Sequence, residues 1–122
     1  MGQILKSDRS VLSSSSISGD AVVNRAGDSL GKIEDLMIDL GMGRVAYAVL
    51  SFGGFLGMGN KLFAIPFEAL ELDAANKRFI LDVPKERLEA APGFDKDNWP
   101  DFANRSWGSS VYTHYGRTPY WN

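Results

Sequence analysis

The 122-residue chain contains no cysteine, so disulfides and thiolate metal sites are excluded, and a reducing compartment fits the composition. It has a single histidine, His114. A nucleophilic triad needs an imidazole base beside its nucleophile, and a zinc site usually needs several N or S ligands. No run approaches the ~18 apolar residues of a membrane helix. Ser13 to Ser16 stand where a signal peptide would place its apolar core. The N-terminal Met-Gly fails as a myristoylation signal because position 6 is Lys6. These absences point to the cytoplasm and to a chain without membrane insertion. Basic segments are missing too. Net charge is −2, with +1 on residues 1–17, −3 on 18–92 and none on 93–122. Nucleic-acid binders present a cationic footprint to phosphate, so nucleic acid is not expected as a partner.

What is present is enough apolar sequence for one domain with a core of its own. Residues 1–17 hold six serines and no aromatic side chain, and read as a disordered arm. Residues 18–92 read as consecutive short strands: Gly19–Asn24, Leu30–Leu40, Arg44–Phe52, Lys61–Phe67, a short Leu70–Leu72 and Arg78–Val83. In the second of these the apolar positions are Ile33, Leu36, Ile38 and Leu40. The three-residue step from 33 to 36 predicts a β-bulge at Glu34-Asp35. Gly41-Met42-Gly43 is a hairpin loop. Arg44–Phe52 is apolar on both faces, hence a central strand covered on both sides. Pro66 belongs at an edge or a strand end. No helix of crossover length separates these strands, so a mainly β, antiparallel barrel of about six strands is expected. Its expected core is Val23, Ile33, Leu36, Ile38, Val45, Tyr47, Val49, Leu62, Ile65, Phe79, Leu81 and Val83. A short helix, Pro84–Ala91, closes this part before Pro92-Gly93.

Residues 93–122 differ in kind. They carry eight of the 14 aromatic residues and all three tryptophans. Trp99, Ala103, Trp107, Val111 and Tyr115 recur every four residues, with Phe102 and His114 beside them, which predicts one face of a helix. Gly108 interrupts it. So aromatic a tail has to pack on the barrel, on another chain, or on both.

Three run-and-loop patterns together resemble the PRC-barrel domain. They are Gly27-Asp28-Ser29-Leu30-Gly31-Lys32-Ile33-Glu34-Asp35, the run Gly43-Arg44-Val45-Ala46-Tyr47-Ala48-Val49-Leu50, and Lys61-Leu62-Phe63-Ala64-Ile65-Pro66. The resemblance covers residues 18–91. It implies a compact barrel serving as a protein-binding module and carries over no catalytic residues.

The candidate chemistry is sparse. His114 lies on the apolar face of the tail helix and reads as a packing residue. Glu34, Asp35 and Asp39 form an acidic cluster, but Asp35 and Asp39 are about 13 Å apart on an extended strand, so a solvated face is the favoured reading over a cation site. The loop Gly53–Asn60 carries Phe55, Leu56 and Met58. A strand follows it where phosphate loops need a helix, so it is a cover for the barrel mouth or a partner contact. Asn104-Arg105-Ser106 matches a glycosylation sequon by chance. No enzymatic constellation, metal site or cofactor site is expected. The expected function is a non-enzymatic protein-interaction module, homodimeric, with Phe55, Leu56, Met58, Trp99, Phe102, Trp107, Tyr115 and Trp121 as contact residues and the tail at the dimer interface. The alternative is an RNA- or ribosome-associated accessory factor, by analogy with ribosome-maturation factors that carry a related domain.

Overall fold

A computed structural model describes residues 11–53 and 60–122. A single helical turn, α1 (Ser14–Ile17), is capped by the Ser13 hydroxyl, which accepts from the Ser16 amide, and it buries Ile17. Six strands follow: β1 (Ala21–Val23), β2 (Ser29–Asp39), β3 (Arg44–Gly53), β4 (Asn60–Pro66), β5 (Leu70–Asp73) and β6 (Arg78–Leu81). Two helices complete the chain, α2 (Lys85–Glu89) and α3 (Arg105–His114).

The strands form one sheet in the order β4-β3-β2-β1-β6-β5. The edge strands β4 and β5 are joined by only the turn Phe67–Ala69. Three residues span at most about 10 Å, so the two edges must approach and the sheet curls into a half-barrel. Neighbours are antiparallel except β1 and β6, which run parallel, so the expected all-antiparallel meander is broken once. The tight β5–β6 turn, with Lys77 at φ 52°, sends β6 back alongside β1 in the same direction. Pro66 ends an edge strand, where its missing N–H costs no ladder bond.

The bulge expected at Glu34 is present, since Ile33 pairs with Leu50 and Asp35 with Val49. A second irregularity sits opposite Met37 and Ile38, where Ala46 is the extra residue, and a third lies between Val22 and Val23. These shifts correct the expected core. Val22, not Val23, is sealed in the interior, and Ile38 is exposed. Leu36 and Val83 pack partly buried against the core, and Val23 and Val45 are only half-buried. Leu30, Leu50, Phe63 and Leu88 join it.

Residues paired across the ladder share a face. Ile33, Leu50 and Phe63 therefore line the concave side, while Tyr47, Val49 and Ser51, with Leu62 and Ala64, occupy the convex side. Both sides of β3 are buried, as its two apolar faces require. The convex cover comes from residues 94–121.

That cover begins as strand and ends as helix. Phe94 and Leu62 exchange two backbone hydrogen bonds, 2.8 and 2.9 Å, on the free edge of β4. The expected helix starts only at Arg105. Upstream, Asp101 Oδ1 accepts from the Ala103 amide and holds a turn, so Trp99 and Ala103 are not helical. Asn104 caps α3 by accepting from the Trp107 amide (3.1 Å), which is the structural work of the sequon asparagine. Gly108 is where α3 crosses closest to β3: a Cβ there would lie 2.4 Å from Tyr47 Oη and 2.8 Å from the Trp121 ring. The glycine that interrupts the apolar pattern is therefore what lets the helix seat.

Candidate protein-binding face

The β2–β3 hairpin reaches past the sheet at the end where the chain terminates. Asp39 builds its tip. Its carbonyl accepts from Gly43 N–H (2.8 Å) and its carboxylate from Met42 N–H (3.1 Å), with Gly43 in the left-handed region. The same carboxylate accepts a hydrogen bond from the Tyr120 hydroxyl and so fastens the tail to the hairpin. The Tyr120 bond, followed by that from Met42, holds the Asp39 carboxyl below the usual range. Partial burial, then the bond to Asp39, pushes Tyr120 up to about 12. The Arg44 guanidinium lies over the Tyr120 ring at 4.0 Å and pairs with Glu68 at 2.9 Å. Every charge at the hairpin base thus has an internal partner.

Between hairpin and tail lies a cleft of about 410 Å³, walled by Met37, Tyr47, Phe102, Tyr120 and Trp121, with Arg105 stacked on the Trp121 ring at 4.8 Å. Along its rim stand Ile38 and Leu40, 51% and 89% exposed, and Met42, 54% exposed, follows on the hairpin turn. Three large apolar side chains stand exposed on one hairpin tip beside an aromatic cleft, the kind of surface that marks an interaction site.

The expected contact residues divide. Phe102 and Trp121 line the cleft, and Trp107 packs beneath it on Phe102 and Tyr47 (5.0 and 5.5 Å). Trp99 lies on Phe94 and Phe102 and is 37% exposed. Tyr115 is buried in the chain's own core, where it is closed to a partner. Phe55, Leu56 and Met58 lie outside the described residues. The tail thus packs on its own barrel. Tyr112 packs edge-on against Tyr47 at 5.6 Å and donates its hydroxyl to the Ala46 carbonyl at 2.9 Å.

The acidic trio is also divided. Asp39 serves the hairpin, Asp35 accepts from the Leu36 amide, and Glu34 faces a different cleft. His114 clasps α3 to α2: its Nε2–H donates to the Arg87 carbonyl (3.0 Å), and Arg87 Nε donates back to the His114 carbonyl (3.2 Å). A carbonyl only accepts, which sets the imidazole tautomer. Among the described residues no three acids, histidines or cysteines converge as metal ligands, and no helix is long and apolar enough to cross a membrane.

Among known families, the PRC-barrel domain model matches residues 10–88 of the chain. The chain belongs to the PRC-barrel domain family. The match starts eight residues earlier than the resemblance traced above and takes in α1, whose Ile17 belongs to the core. PRC-barrel domains are small domains often involved in protein interactions. No curated protein matches the chain. All of the cleft's tail wall, from Phe102 to Trp121, lies beyond the matched segment, so this PRC-barrel carries an added aromatic wall next to its β2–β3 hairpin.

Proposed function

We propose that this PRC-barrel chain is a non-enzymatic interaction module of the cytoplasm, and that its hairpin face associates with a second copy of itself. The carrying observation is the exposed trio Ile38, Leu40 and Met42 on the hairpin, the first two lining the aromatic cleft. The charges around it favour a like partner. Asp39 is engaged by Tyr120, and Arg44 by Glu68. A two-fold contact sets each patch against itself, and the one acid and one base that line the cleft, Asp39 and Arg105, offer complementary charges across such an axis. The tail supplies the cleft wall rather than the contact as a whole, because its most apolar side chains are spent on its own barrel.

Sedimentation velocity from 1 to 100 µM tests this reading. The full chain is expected to dimerise within about that range, and the association should persist in high salt, since apolar contacts strengthen there while phosphate contacts weaken. The double variant Leu40→Asp/Met42→Asp is expected to stay monomeric with an unchanged melting temperature, because both side chains are exposed. A full chain that remains monomeric throughout would refute self-association.

A further inference from the structure

On the other side of the tail's first turn lies a second cleft, of about 610 Å³, between β2, β3 and residues 95–99. Glu34, Asp95 and Asp97 stand around it, and Trp99 forms one wall. Glu34 is there because it is the extra residue of the β2 bulge. The acid-rich turn is there because the Phe94–Leu62 bridge anchors it to the edge of β4. Glu34 and Asp97 have no ion-pair partner among the described residues, and Asp95 has only a long one, 4.0 Å, to the exposed Lys61. Set against Lys96, Lys61 and Lys32, the ladder partner of Ser51, the three carboxylates are balanced in number, but only Asp95 is engaged by one of these lysines.

An independent observation lies at the floor. Ser51 is 4% exposed, lines this cleft, and its hydroxyl has no hydrogen-bond partner among the described residues. A buried hydroxyl left unpaired is costly, and such groups are normally satisfied. Ser51 and its ladder partner Leu62 both face the cleft, so the unpaired hydroxyl lies directly beneath its floor.

The chemistry of these walls selects the ligand. The carboxylates are spread around the opening and do not converge as a cage for a metal ion. An alkylammonium group matches what is present: carboxylates at the rim for its charge, an aromatic face for its stem and charge, and an unpaired hydroxyl just beneath the floor to accept from an N–H. Lys61, whose ammonium already leans to Asp95, shows the attraction within the chain. We infer that the Glu34–Ser51–Trp99 cleft is a binding site for an alkylammonium group, a site separate from the hairpin face and independent of self-association.

The test is a titration of the full chain followed by amide and indole NMR, with spermidine, with Nα-acetyl-lysine amide and with Mg²⁺. Saturable shifts are expected at the Trp99 indole N–H and the Ser51 amide with the two amines. Asp97→Asn, at an exposed rim position, is expected to weaken spermidine binding up to about fivefold with melting unchanged. Trp99→Leu is expected to weaken it by at least as much while the amide spectrum stays that of a folded chain, its melting lowered by the lost packing on Phe94 and Phe102. A preference of about tenfold or more for spermidine marks a free polyamine as the source, and comparable binding marks a lysine side chain on a partner. The inference is overturned if neither amine produces a saturable shift at these residues, if both variants bind as the parent does, or if Mg²⁺ moves the same resonances at the same concentrations.

Discussion

A chain ended at Gly93 is expected to lose its folded β signal and to aggregate, rather than to survive as a free barrel. Residues 94–121 cover the convex side of β3 and β4, where Tyr47, Val49, Leu62 and Ala64 are buried. Truncation uncovers that face and deletes Val111, Tyr112 and Tyr115 from the core cluster. Full burial of one such side chain is worth about 1.5–3 kcal/mol. Three together are on the order of 5–9 kcal/mol, comparable to the whole stability of a small domain, about 5–15 kcal/mol. The Ala46 carbonyl also loses the Tyr112 hydroxyl, and Leu62 loses the Phe94 backbone pair. Far-ultraviolet circular dichroism of the shortened chain checks this. A cooperative melt near that of the full chain would show that the tail is dispensable to the fold.

The largest single-residue effect is expected at Gly31. It lies beside the β1–β2 irregularity with φ +125°, a conformation that L side chains rarely adopt. A Cβ there would stand 2.1 Å from the Ser51 carbonyl oxygen, which is backbone in the central strand and has nowhere to move. Gly31→Ala therefore combines strain with a collision, and is expected to cost at least about 3 kcal/mol, or roughly 10 °C or more in Tm. Gly27→Ala separates the two causes. Gly27 also has positive φ (+91°) but open space around its Cβ position, so its loss should stay near 1 kcal/mol. Equal losses at the two positions in urea unfolding would show that the approach of β2 to Ser51 is not what Gly31 serves.

Much of this fold was legible in the sequence because its signals are local. The three-residue step from Ile33 to Leu36 located a bulge, Pro66 marked an edge strand, and the two apolar faces of Arg44–Phe52 identified the strand buried on both sides. The misses occur where one irregularity acts on another. A shift between Val22 and Val23 reverses which of two adjacent valines is inside. The extra residue at Ala46 changes the register at the hairpin and leaves Ile38 outside. Period-two counting carries no record of a bulge contributed by the partner strand. The tail's four-residue recurrence counted Trp99 and Ala103 as helical because it does not register the turn held by Asp101 and Asn104. Tyr112, the side chain that joins the tail to β3, sat off that counted face.

The candidate face was less legible than the fold. Leu40 and Met42 flank a glycine in a loop-like tripeptide, and nothing local distinguishes an apolar hairpin tip left open from one folded back. What makes it a site is the Asp39–Tyr120 hydrogen bond, which closes 81 residues of chain into one cleft. Glu34 and Asp39 read as one acidic cluster by spacing, but the bulge between them places them at different clefts.

The central claim is that barrel and tail form one unit, leaving the hairpin tip as the open apolar face. The four tyrosines of the chain, Tyr47, Tyr112, Tyr115 and Tyr120, all report on that claim. Burial raises each of them, Tyr47 and Tyr120 to about 12 and the other two further. A phenol whose pKa is higher in the folded state contributes stability below the ordinary value of 10.0 and loses it as pH rises toward the folded value. The decisive measurement is a spectrophotometric titration at 295 nm of a sample shown to be monomeric by sedimentation. The expected curve has no phenolate step near pH 10 and one steep rise above about pH 11, coincident with loss of the β signal. One or more tyrosines ionising near pH 10 in the still-folded monomer would show the tail lying off its own barrel, and would contradict the account.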